Sequence, residues 1–201
     1  TVPGNLSSWV VNSSDRYIIG IFLGAAFVGY YSPGYMLGGV IGMFLAPLSF
    51  MLPPVLSKYY AEDNMKEVKT VLKYSLKYFL MLSIPSIFGI LIFSEPILRI
   101  MTRPEFISSG KIIMPFIAIS ALFYGVQTVF GQIIMVFKKT NIYALLFAIS
   151  AVCNIILNVI LIPLYGILGA AIATFFTYAL FMVLCVFISF RYLVFDIPWM
   201  S

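Results

Sequence analysis

Asp15 and Arg16 stand side by side in the stretch NSSDRYIIG, where polar residues give way to an apolar run. An acid and a base at such an edge can do one of two things. If the edge lies at the membrane surface, Ser13, Ser14 or Asp15 caps a helix N-terminus and Arg16 snorkels to the headgroups. If the pair is carried into the membrane, its cost marks an ion or substrate path. Neighbours on a helix diverge by about 100°, so Asp15 and Arg16 address different partners. Asn154 and Asn158 lie one helical turn apart and share a face in a run otherwise made of Ile, Leu and Val. Two amides so placed want a common partner, and interhelical hydrogen bonds of about 0.6 to 2 kcal/mol would satisfy them. Gln127 and Gln132 in another apolar run, and Asn12 beside the acid, either line a path or bond between helices.

The elements that must hold these residues are membrane helices. Hydrophobic residues make up 62% of the 201 and charged residues 9%, against about one quarter charged in soluble proteins. The 19 Phe and 13 Tyr are spread throughout, which predicts a single all-α integral membrane domain over 1–201. A span needs about 20 apolar residues. Five runs meet this directly, at 36–55, 72–93, 112–137, 142–162 and 166–190. The first run is harder, because 17–31 is short and meets Ser32-Pro33-Gly34, a turn signal. Starting that helix at position 3 and ending it near Gly24 gives six spans and puts Asp15 and Arg16 well inside.

Loop charge supplies an independent test. With both chain ends cytoplasmic, Lys58, Lys66, Lys69, Lys73, Lys77, Lys138, Lys139 and Arg191 fall inside, and Arg99, Arg103 and Lys111 outside. Lys66, Lys69, Lys73 and Lys77 form one stripe opposite Val68, Val71, Leu72 and Leu76. An interfacial helix is expected there, drawn to anionic headgroups at about 1 kcal/mol per lysine. Pro47, Pro53, Pro54, Pro85 and Pro115 fall within spans, where kinks around a cavity suit a transporter. After a turn at Pro163-Leu164-Tyr165-Gly166, small residues recur as Gly166, Ala170, Thr174 and as Gly169, Ala173, Thr177, two close-packing stripes.

Other chemistry finds little support. Cys153 and Cys185 sit in apolar runs without metal-ligand spacing and are expected as buried thiols. The chain has no histidine, paired acids or Gly-x-Ser-x-Gly, so an intramembrane glycan-processing enzyme fits poorly. Asn5-Leu6-Ser7 and Asn12-Ser13-Ser14 match the glycosylation pattern but lie at or inside a membrane helix. No secretory signal is read at Thr1, and the start reads as a cut in something longer.

The stretches NSSDRYIIGIFLGAAFVGYYSPGYMLGGVIG, PPVLSKYYAE and FKKTNIYALLFAISAVCNIILNVILIPLYGILGAAIATFFTYAL resemble the C-terminal lobe of polysaccharide-biosynthesis flippases. These belong to the multidrug, oligosaccharidyl-lipid and polysaccharide exporter superfamily. The resemblance implies six helices forming one lobe of a two-lobe, alternating-access exporter in the cell (cytoplasmic) membrane, moving lipid-linked sugar units outward. A drug or toxin extruder of the same superfamily is the alternative. The partners implied are membrane lipids, the lipid-linked glycan, and a missing N-terminal lobe or a second copy; no nucleic acid is expected.

The resemblance also implies site roles and answers the opening choice in favour of the membrane. Arg16 faces an anionic substrate, with Asn12, Gln127 and Gln132 along the path. Asp15, Asn154, Asn158, Thr174 and the Ala170 carbonyl hold a monovalent cation, with sodium or a proton as coupling ion and no other cofactor. Oxygen ligands and one negative charge suit such a cation.

Overall fold

The computed structural model describes residues 14–195, and all of its regular structure is helical. Helix α1 occupies 14–22 of the described residues, followed by α2 (Ala25–Gly38). A 3₁₀ segment (Gly39–Phe44) joins α2 to α3 (Ala46–Ala61), so one nearly continuous helical run of 37 residues spans Ala25–Ala61. Then come α4 (Met65–Met101), α5 (Pro104–Val136), α6 (Thr140–Tyr165) and α7 (Ile167–Ser189). With Ala25–Ala61 counted once, five described helical runs are long and apolar enough to cross a membrane. Most of the expected first span, 3–24, lies outside the described residues, and so does Asn12.

The turn expected at Ser32-Pro33-Gly34 is a correction. Those residues are helical within α2, and the chain breaks instead at Gly24, whose φ of 97° suits glycine. Packing overrides the local signal here. A Cβ on Gly34 would sit 2.9 Å from the Gly110 Cα, and one on Gly38 2.6 Å from the Met114 carbonyl oxygen. Gly34 is therefore the point where α2 lies directly on α5, the use small residues have in membrane bundles. Ser32 Oγ donates to the Val28 carbonyl at 2.7 Å, which hides its hydroxyl in an apolar helix.

Helix α5 forms the centre, packing against α2, α3, α4, α6 and α7. Its largest shared core brings Leu72, Leu76 and Phe79 of α4 against Val129, Phe130 and Ile133, with Phe181 of α7. The α6–α7 hairpin closes at Gly166, φ 63°, and Gly169 lies directly against the Leu161 carbonyl. Of the two stripes read from sequence, Ala170, Ala173, Thr174, Gly169 and Thr177 are all buried.

Helix α4 is much longer than a bilayer requires. Tyr74 and Glu95 stand 21 residues apart, or about 31 Å, close to the hydrocarbon thickness. Between them Met81, Leu82, Phe88, Ile92 and Phe93 are exposed, as a lipid-facing surface requires. Beyond Glu95, Arg99 and Lys111 both pair with that acid, at 2.6 and 2.7 Å, tying α4 to α5. At the other end Asn64 caps α4 by accepting from the Glu67 amide, and the lysine-bearing turns begin.

Candidate functional site

The site begins with α1 lying against α2. Asp15 is 1% exposed, and its Oδ2 accepts a 2.7 Å hydrogen bond from the Tyr31 hydroxyl. Its Oδ1 accepts from the Arg16 amide at 2.8 Å. Thr174 of α7 interacts with the same Tyr31 hydroxyl, so this tyrosine links α1, α2 and α7. Both of these donors to Asp15 are neutral. The Arg16 charge is near enough to be felt, yet the described ion pairs do not include one with Asp15.

Arg16 turns the other way, as helical geometry demands. Its guanidinium lies over the Tyr35 ring, 4.8 Å from the centroid, and its Nε is buried without a hydrogen-bond partner. Cation–π contacts of this kind are worth about 0.5 to 2 kcal/mol. Tyr31 and Tyr35 are one turn apart on α2 with rings at 5.5 Å. Successive tyrosines on one face of α2 thus receive successive charges on α1.

A second set of bonds runs through the amides. Ser14 Oγ donates to Asn154 Oδ1 at 2.9 Å, and Asn158 Nδ2 donates to the Asn154 side-chain and main-chain oxygens, both at 3.0 Å. Asn154 Nδ2 in turn donates to Thr177 Oγ1 at 3.2 Å. The two side-chain bonds fill both lone pairs of Asn154 Oδ1. Asn158 Oδ1, by contrast, is buried with no partner. A buried acceptor left so costs about 1 to 3 kcal/mol. The two sets adjoin where Ser14 meets Asp15 on α1, and where Thr174 and Thr177 stand one turn apart on α7.

The residues proposed from sequence for a cation, Asp15, Asn154, Asn158, Ala170 and Thr174, are all buried in this region of α1, α6 and α7. Sequence reading missed Tyr31 and Ser14. The four-residue spacing of Tyr31 and Tyr35 was a usable signal, whereas Ser14 meets Asn154 across 140 positions and gives none. A cavity of about 120 Å³ adjoins Thr174 and is also lined by Tyr35, Ser120, Tyr124 and Tyr178.

The glutamines lie elsewhere. Gln127 is buried, and its Oε1 accepts from Tyr143 of α6 at 3.5 Å and Cys185 of α7 at 3.7 Å. Of the two roles open to it, the geometry matches a bond between helices. Gln132 is also buried, one turn and a half further along α5.

Two features of this region bear on a cation, and both are oxygen atoms. Asp15 is a carboxyl group with no ion-pair partner among the described residues, and Asn158 Oδ1 is an amide oxygen with capacity to spare. Asn154 serves the same region by fixing Asn158, its own oxygen being engaged.

Comparison with known proteins places the chain. The MatE family model matches residues 2–160. A probable low-salt glycan biosynthesis flippase, Agl15, of Haloferax volcanii is 30% identical over 179 residues, 89% of this chain and 37% of its own length. The probable flippase AglR of the same organism is 27% identical over 181 residues, again 89% and 37%. The chain therefore spans well under half the length of these relatives. Among solved structures, an outward-facing multidrug resistance MATE transporter of the MOP superfamily matches with a TM-score of 0.81 at 19% identity, over 97% of this chain and 44% of that one. The lipid II flippase MurJ, inward closed, matches at 0.75 and 22% identity, over 95% and 41%.

Proposed function

Since the chain belongs to the MatE family, a family of membrane transporters, we propose that it is the C-terminal lobe of an alternating-access flippase for lipid-linked oligosaccharide. The observation that carries this reading is the likeness to a probable low-salt glycan biosynthesis flippase and to a second probable flippase, each over 89% of the chain. The direction of transport is from the cytoplasmic to the outer leaflet of the cell membrane, with both chain ends cytoplasmic by the distribution of lysine.

Transporters built from repeats hold their substrate between two walls near the midplane. This chain is one wall, and a preceding lobe or a second copy forms the other. Arg16, resting on Tyr35, offers its guanidinium to the phosphate groups of the lipid carrier. Asp15, Asn158, Thr174 and the Ala170 carbonyl form the cation site, with Asn154 and Tyr31 positioning them. Sodium and a proton compete there, because an ionised carboxylate in the membrane is stabilised by a bound cation and otherwise takes up a proton. Filling the site biases the lobe toward one side of the cycle.

The multidrug-extruder reading shares the fold, and the transported compound separates the two. In a flippase-deficient cell, the chain joined to its first lobe should restore glycan export, and the 201 residues alone should not. Export of cationic drugs without glycan export would establish the extruder instead. Restoration by the lone chain would make it a homodimer.

A further inference from the structure

The lysine-bearing end of α4 is more than a charged edge. Lys66, Lys69, Thr70 and Lys73 line a groove of about 300 Å³, whose opposite wall is Val194 and Phe195 in the strap that follows α7. Phe195 is buried and stacks obliquely on Phe130 of α5 at 5.4 Å, so the strap is fastened to the core. Lys66 and Lys69 are exposed and have no ion-pair partner among the described residues. One wall is cationic and the other apolar.

Depth decides what such a groove meets. Tyr74 and Tyr78 are exposed and stacked at 6.1 Å, the placement that amphipathic rings take at the headgroup boundary. If Tyr74 marks one boundary, Glu95 falls at the other, since about 31 Å separates them. Lys73, Lys69 and Lys66 then climb outward over about 10 Å, through the phosphate layer. Lys77 points along the same stripe but does not line the groove.

We propose that this groove is a discrete site for the phosphate headgroup of an anionic membrane phospholipid, held by Lys66 and Lys69 with its glycerol and upper chain against Val194 and Phe195. The site lies at the far end of α4 from Glu95 and takes no part in the network around Asp15. Headgroup phosphate and free phosphate share the cationic wall, but only the lipid uses the apolar one.

The test is lipid retention by the purified chain in neutral detergent, read by native mass spectrometry with phosphatidylglycerol, phosphatidylcholine or inorganic phosphate added. One phosphatidylglycerol should be retained in preference to phosphatidylcholine. Lys66→Gln with Lys69→Gln should weaken it about tenfold or more, and Lys77→Gln by less than about twofold. Val194→Ser should weaken the lipid while leaving any phosphate binding unchanged. Unaltered melting in phosphatidylcholine confirms that the variants fold. Equal retention of both lipids, or an equal loss in Lys77→Gln, would mean diffuse attraction and overturn the site. Inorganic phosphate competing as well as the lipid would overturn the lipid assignment.

Discussion

Two acids sit in membrane-facing helices of this protein and are treated in opposite ways. Glu95, at the end of α4, is half-exposed and holds two cations, Arg99 and Lys111, within 2.7 Å. Asp15 is 1% exposed, and among the described residues its donors are neutral, the Tyr31 hydroxyl and a main-chain amide. In water an ion pair adds little, because both partners were already solvated. Inside the bundle a carboxylate without a contacting cation carries a standing electrostatic demand. Glu95 therefore reads as an anchor at the lipid boundary, and Asp15 is the group on which the proposed cation site rests.

Labelling tests the placement of Glu95 at one end of a membrane span and has an all-or-none outcome. In a chain with Cys153→Ala and Cys185→Ala, Lys66→Cys and Arg103→Cys should react with an impermeant thiol reagent from opposite sides, with Lys66→Cys on the cytoplasmic side. Reaction of both from one side would break the picture of α4 as a span ending near Tyr74 and Glu95.

Asp15→Asn should have the next largest effect. It keeps an acceptor for Tyr31 but removes the charge, so sodium should no longer raise the melting temperature above its value in potassium. Asn158→Leu should abolish the same difference by removing the amide oxygen. If sodium and potassium stabilise the unmutated protein equally from about pH 6 to 8, the amides are interhelical bonds and the cation reading fails.

Tyr31→Phe should act more mildly. Loss of one buried hydrogen bond costs about 0.5 to 1.5 kcal/mol, or more when the acceptor is charged. If Tyr31 positions Asp15, the sodium concentration needed for half-maximal stabilisation should rise several-fold while the maximal shift survives. An unchanged midpoint with only lowered stability would reduce Tyr31 to packing.

Glu95→Gln should change least. Thermal melting should be indistinguishable from the parent at about 0.15 M salt, where exposed pairs are screened. A loss approaching that of Asp15→Asn would erase the distinction drawn between the two acids.

Much of the helical layout was legible because hydropathy and length act locally. The lysine stripe and the shared face of Asn154 and Asn158 both follow from periodicity within a few residues. Ser32-Pro33-Gly34 misled for the same reason. Its turn propensity is local, whereas the close approach to Gly110 and Met114 is a contact between helices far apart in sequence.

By itself, then, the sequence determined that this is a bundle of membrane helices and which polar residues enter it, since apolar length and the cost of burying charge are properties of segments. The resemblance it carries pointed to a half transporter. Only the tertiary structure decided which partners those polar residues meet. It set Tyr31 on Asp15 and Tyr35 under Arg16, and gave Gln127 to Tyr143 and Cys185. It also left Asn158 Oδ1 without a donor and brought Val194 and Phe195 against the lysine turns of α4. Hydrogen bonds reach about 3 Å, so their pairing is fixed by how helices cross and not by spacing along any one of them.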